Sequence, residues 1–181
     1  MKRTRAALLS ALLTALVFVG GQALAGIPNV EVVTFLVFIS GYLLGPVLGA
    51  LVGAAGMAAH SLFNVMGAVA PPVWVTQWIC YGVVGLAGGI AGPALARIRR
   101  RGLAAALATV TGAALVLFYQ LAVNAAAFFS FSSGVSVWVF LWGGIAFGAV
   151  QVLWNAALFL LAIPPTLRVL APYRRELAAT P

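Results

Sequence analysis

Every lysine and arginine of this 181-residue chain falls in one of three clusters, and the stretches between them are apolar and long enough to cross a bilayer. Lys2, Arg3 and Arg5 form the first cluster, Arg97, Arg99, Arg100 and Arg101 the second, and Arg168, Arg174 and Arg175 the third. Basic residues collect on the cytoplasmic flanks of membrane helices. All three clusters are therefore expected in the cytoplasm, with an even number of crossings between each and the next. The reading is an all-α, multi-pass protein of the bacterial inner membrane with both termini cytoplasmic.

Composition narrows the classes further. With 64% hydrophobic and 7% charged residues and a mean hydropathy of +1.14, the chain has no ordinary water-facing surface. A net charge of +8 would suggest nucleic acid as partner of a soluble protein. Here the charge sits on helix flanks and forms no groove, so the partner is the lipid bilayer and no nucleic acid is expected. The single cysteine, Cys80, excludes a disulfide framework and a multi-cysteine metal site. Residues 1–181 leave room for one integral-membrane domain without an appended soluble module.

Hydrophobic runs, glycines and prolines divide the chain into six expected transmembrane helices, at about 6–25, 30–44, 46–65, 73–96, 103–129 and 136–163. Four crossings then separate the first and second basic clusters, and two separate the second and third. Loops at 26–29, 67–72 and 130–134 fall outside. The first run also fits a signal peptide, with Ala23-Leu24-Ala25 as a cleavage site before Gly26. Its length favours a retained helix, and the later helices keep their orientation either way. The second helix, ending at Gly45-Pro46, rises only about 22 Å, short for a crossing unless packed inside protein. Gly49-x-x-x-Gly53 and Gly85-x-x-x-Gly89 are read structurally, as sites where helix backbones approach closely in lipid.

The chemistry inventory argues against catalysis. The chain has no aspartate, and its two glutamates are Glu31 and Glu176. Paired carboxylates for acid–base work are unavailable. Lys2 is the only lysine and His60 the only histidine, so neither a phosphate-loop lysine nor a zinc site can be built. His60-Ser61 has no acid nearby to orient an imidazole. No enzyme, cofactor or metal is expected; a transporter or membrane receptor remains.

Polar side chains within membrane helices are the informative ones, and here they gather toward the outside. Asn29 and Glu31 precede or start the second helix, and Asn64 ends the third. Trp74, Gln77, Trp78 and Tyr81 open the fourth. Gln120 and Asn124, at i and i+4, share one face of the fifth, while Trp142 and Gln151 lie on the sixth. An outward-opening cavity lined by these eleven residues accounts for the asymmetry. Several polar and aromatic residues there have a plainer alternative. Trp74 and Trp138 suit an interfacial aromatic belt, and Trp78 and Trp142 suit either core packing or stacking on a ligand. Gln120, Asn124, Gln151 and Asn155 suit interhelical hydrogen bonding, and Glu31 suits an acid stabilised at a helix start. The outer half lacks lysine and arginine, which would meet a phosphate or free carboxylate. The cavity should favour a neutral or cationic, ring-containing, donor-rich small molecule.

Ala7-x-x-x-Ala11 and Ala11-x-x-x-Ala15 form a small-residue stripe in the first helix. With Pro28-Asn29-Val30-Glu31, the run Ser40–Gly49, and Trp74-x-x-Gln77 before Tyr81-Gly82-x-x-Gly85, the whole chain resembles the substrate-binding S components of energy-coupling-factor (ECF) vitamin transporters. The resemblance implies capture of a vitamin or related micronutrient near the outer surface. It also implies docking through Ala7, Ala11 and Ala15 onto a membrane T component that carries two cytoplasmic ATPases. The segments 29–31 and 74–77 look most like the cobalamin-type members. Two rival readings stay open: a self-contained secondary transporter or channel, and a purely structural membrane subunit.

Overall fold

The computed structural model describes residues 2–63, 70–131 and 134–179. Asn64 lies outside them. Six helices follow one another: α1 (Lys2–Ala23), α2 (Val33–Leu44), α3 (Pro46–Leu62), α4 (Pro71–Arg97), α5 (Arg101–Phe131) and α6 (Val137–Ala179). No strand occurs among the described residues. A chain this apolar has no water to satisfy its backbone, and helices satisfy it within each segment. Four of the six are long and apolar enough to cross a membrane, over Thr4–Ala23, Pro71–Arg97, Arg101–Phe131 and Val137–Leu177. The other two are short: α2 has 12 residues and α3 has 17, about 18 and 25 Å at the usual helical rise.

The two short helices form a hairpin buried against α4. Gly45 makes the turn with φ 89, a conformation that favours glycine, and Pro46 then starts α3. Close backbone approach holds the three helices together. A methyl group on Gly41 would strike the Gly85 carbonyl, and one on Gly85 would strike the Gly49 carbonyl. The expected glycine pairs thus act as packing contacts, with Gly41 as a third participant. Around them lies the core, including Val37, Phe38, Tyr42, Val52, Tyr81 and Val84 with Phe159, Ile163 and Leu167 from α6. The Phe38 and Phe159 rings meet edge to face at 5.2 Å. On the periphery, α1 packs on α2 and α3 through the buried Val17 and through Gly20 and Gly21.

Several expected boundaries move, two of them with consequences for packing. The sixth helix does not stop near residue 163; it passes Pro164, Pro165 and Pro172 and ends at Ala179. Proline removes an N–H and clashes with the preceding turn, but here the tail is held from outside. Leu167 is buried, its carbonyl accepts a hydrogen bond from the Tyr42 hydroxyl at 3.0 Å, and Arg174 Nε donates to the Tyr42 carbonyl at 2.8 Å. The Arg174 guanidinium also lies 5.3 Å from the Tyr42 ring centre. That carbonyl needs an outside donor because the residue four positions on is Pro46, which has no N–H. The second boundary is the start of α2, at Val33 instead of residue 30, which leaves Glu31 ahead of the helix.

Because consecutive helices run antiparallel, the three basic clusters meet at one end of the bundle. Arg5 lines a cleft with Leu43 and Tyr173, and Arg174 reaches Tyr42. Arg97 lies beyond Gly92, which packs on the Tyr42 ring. The α1–α2 loop, the end of α3 and the start of α4 occupy the opposite end.

Candidate functional site: a polar network at the end away from the basic clusters

At this opposite end Glu31 ties the α1–α2 loop to two helices. Its carboxylate accepts the Thr34 N–H at 2.9 Å and the Thr34 hydroxyl at 2.6 Å. This is capping chemistry, a side-chain oxygen satisfying an orphan N–H of the first helical turn. The same carboxylate accepts Asn155 Nδ2 from α6 at 2.6 Å. Trp154 Nε1 donates to the Glu31 carbonyl at 2.7 Å, and Asn29 Nδ2 donates to the Phe147 carbonyl at 3.0 Å. Asn29 holds a positive φ of 62, tolerated better by asparagine than by most residues. Three hydrogen bonds therefore fasten this loop onto α6. Glu31 also lies close enough to His60, Tyr81 and Tyr119 to act on each electrostatically.

From Asn155 the network continues along α6. Asn155 Nδ2 also donates to the Gln151 carbonyl at 3.1 Å, and the Gln151 side chain accepts from Gln120 Nε2 of α5 at 2.6 Å. Gln120, Gln151 and Asn155 are all buried. Gly148 makes room for the Gln120 amide and Gly144 for that of Asn124. A second group joins α3, α4 and α5. Ser61 Oγ donates to Gln77 Oε1 at 3.1 Å, Gln77 Nε2 donates to the Tyr119 hydroxyl at 3.3 Å, and Tyr81 meets Tyr119 edge to face at 5.3 Å.

The expected residues separate into groups on these observations. Asn29, Glu31, Gln77, Tyr81, Gln120 and Gln151 belong to the two networks. Trp74, Trp78 and Asn124 each bury a nitrogen donor that has no partner among the described residues, and the Asn155 Oδ1 acceptor and His60 Nδ1 are likewise buried without one. Trp142 stands apart, 67% exposed on α6, with Trp138 similarly exposed. The Ala7, Ala11 and Ala15 stripe is exposed and is not packed inside the bundle.

Sequence reasoning passed over Thr34, Tyr119 and Trp154, and it weighed Asn155 only as an interhelical hydrogen-bonding residue and Ser61 only beside His60. A signal existed for Thr34, which lies three residues after Glu31, the spacing of a side-chain cap.

The arrangement presents hydrogen-bond donors and acceptors from α3, α4, α5 and α6 around Glu31 and Tyr119. No group of three or more metal-ligating side chains occurs among the described residues. Neither the curated proteins nor the solved structures include a match to this chain. A sequence model of one family does match, over residues 5–163, and it describes the substrate-specific component of ECF transporters. That span takes in five helices and most of α6, including both polar networks, and on it the chain belongs to the family of ECF transporter substrate-specific components.

Proposed function

We propose that this substrate-specific component captures a vitamin or related micronutrient at the polar end of the bundle. The observation that carries the proposal is the convergence of Glu31, Gln120, Gln151 and Asn155 at the end opposite all ten basic residues. A substrate bearing a free phosphate or carboxylate would meet no lysine or arginine there. The ligand class is therefore neutral or cationic and ring-containing. The unpartnered nitrogen donors of Trp74, Trp78 and Asn124 add a requirement for hydrogen-bond acceptors, since buried donors left unpaired are costly. Cobalamin-type compounds, rich in amide carbonyls, meet these conditions.

In the same proposal α2 and α3 also cross the membrane, sheltered by their neighbours, which makes six spans with both termini and the 97–101 loop in the cytoplasm. The positive-inside distribution of basic residues supports this orientation. S components of ECF importers work with a T component and ATPases in the membrane, and docking through Ala7, Ala11 and Ala15 is proposed for this chain. The exposure of those alanines supports it, because small side chains let a partner helix approach closely in lipid.

Titration of the purified chain with a vitamin panel headed by cobalamin is the test. Saturable binding of one compound at submicromolar concentration is expected. Binding of none, or of an anionic member that competes with no neutral or cationic one, would overturn the ligand assignment.

A further inference from the structure

At the basic end, a cleft of about 490 Å³ opens between the start of α1 and the tail of α6, a volume within the range of ligand clefts, roughly 300–1,000 Å³. Its two walls run antiparallel. Arg5, Leu8 and Leu12 share one face of α1, Leu170 and Leu177 share one face of α6, and Leu43 at the end of α2 forms the floor. The walls hardly touch each other, so the cleft is open along its length. From Arg5 to Leu12 it runs about 10 Å at the helical rise, with Arg5 at the mouth and leucines, with Tyr173 among them, below it. Arg5 stands in the first turn of the apolar span Thr4–Ala23, the depth of a lipid headgroup when that span crosses a bilayer.

We propose that this cleft is a binding site for one anionic phospholipid, its phosphate on Arg5 and an acyl chain along the leucines. Charge complementarity selects this occupant. The end that holds the cleft carries every basic residue of the chain against one acid, Glu176, at the cleft rim. Such an end attracts anionic lipid, and basic pockets between helices hold acidic headgroups. Arginine pairs with phosphate through two parallel hydrogen bonds. The face is offset from the alanine stripe: its centre lies about 100° around the helix from that of Ala7, Ala11 and Ala15, and of the three only Ala15 adjoins it, on the side of Leu8. A bound lipid would thus brace α1 against α6 while leaving Ala7 and Ala11 free. The proposal stands independently of the ligand at the opposite end.

Native mass spectrometry of the purified full chain tests it, after exposure to an equimolar mixture of phosphatidylglycerol and phosphatidylcholine with the same acyl chains. The wild type is expected to retain one phosphatidylglycerol in preference to phosphatidylcholine. Arg5→Gln should lower that preference roughly tenfold, and Leu12→Trp, which fills the cleft from an exposed position, should lower retention of both lipids. Arg99→Gln, an exposed residue away from the cleft, should change neither. Equal retention of the two lipids by the wild type overturns the proposal, as does retention untouched by Leu12→Trp or a loss of preference as large in Arg99→Gln as in Arg5→Gln.

Discussion

Glu31 has its carboxylate engaged by Thr34 and Asn155, and this determines what substitution there should do. Glu31→Gln keeps one carbonyl oxygen for the Thr34 N–H, so the cap survives in part and the protein should remain folded. What it loses is the charge. A hydrogen bond to a charged group contributes about 1.5–3 kcal/mol, so ligand affinity should fall roughly ten- to hundredfold while thermal stability changes little. Asn155→Leu should weaken binding comparably by freeing the carboxylate from α6. Titration calorimetry together with a melting curve checks both, and unchanged affinity in both variants would remove this network from the binding site. At this scale the sequence was half legible. A lone acid and a set of amides along three helices could be read from spacing. Which amide meets the acid could not, because Glu31 and Asn155 are 124 positions apart and only the packing of α2 on α6 joins them.

Between helices, the decisive contacts are backbone to backbone. Gly85 and Gly82 lie one turn apart on α4 but differ in their surroundings. A methyl group on Gly85 would collide with the Gly49 backbone, whereas one on Gly82 would meet its nearest atom, the Ala50 carbonyl oxygen, at 3.6 Å. Gly85→Ala should therefore force α3 and α4 apart, with an overpacking penalty of about 1–3 kcal/mol, and reduce the yield of monodisperse protein. Gly82→Ala should be neutral or slightly stabilising, through the better helix propensity of alanine. Size-exclusion profiles and thermal melts of the two variants provide the comparison, and equal behaviour would contradict the packing described. The glycine spacing pointed from sequence alone to close backbone approach, but not to which glycine meets which. The length of α6 was not legible, since paired prolines ordinarily end a helix. The donor that holds its tail, Arg174, acts on a carbonyl 132 positions away.

For the whole molecule, the charge clusters gave the topology its logic, and the antiparallel helices bring those clusters to one end. Six spans predict that residue 98 faces the cytoplasm. Cys80 is buried, so Ile98→Cys in a Cys80→Ala background reports on that loop alone. It should react with an impermeant thiol reagent in inside-out vesicles and not in intact cells. Labelling from outside would reverse the orientation. The central claim is that this chain captures substrate and depends on partners for transport, and Ala11→Trp tests it most directly. Ala11 is exposed, so the indole has room and the fold should persist. Parallel measurement of ligand binding and ATP-dependent uptake in cells carrying the ECF T component and ATPases should show binding at wild-type affinity with uptake abolished. Uptake at the wild-type level in Ala11→Trp would contradict docking through this face.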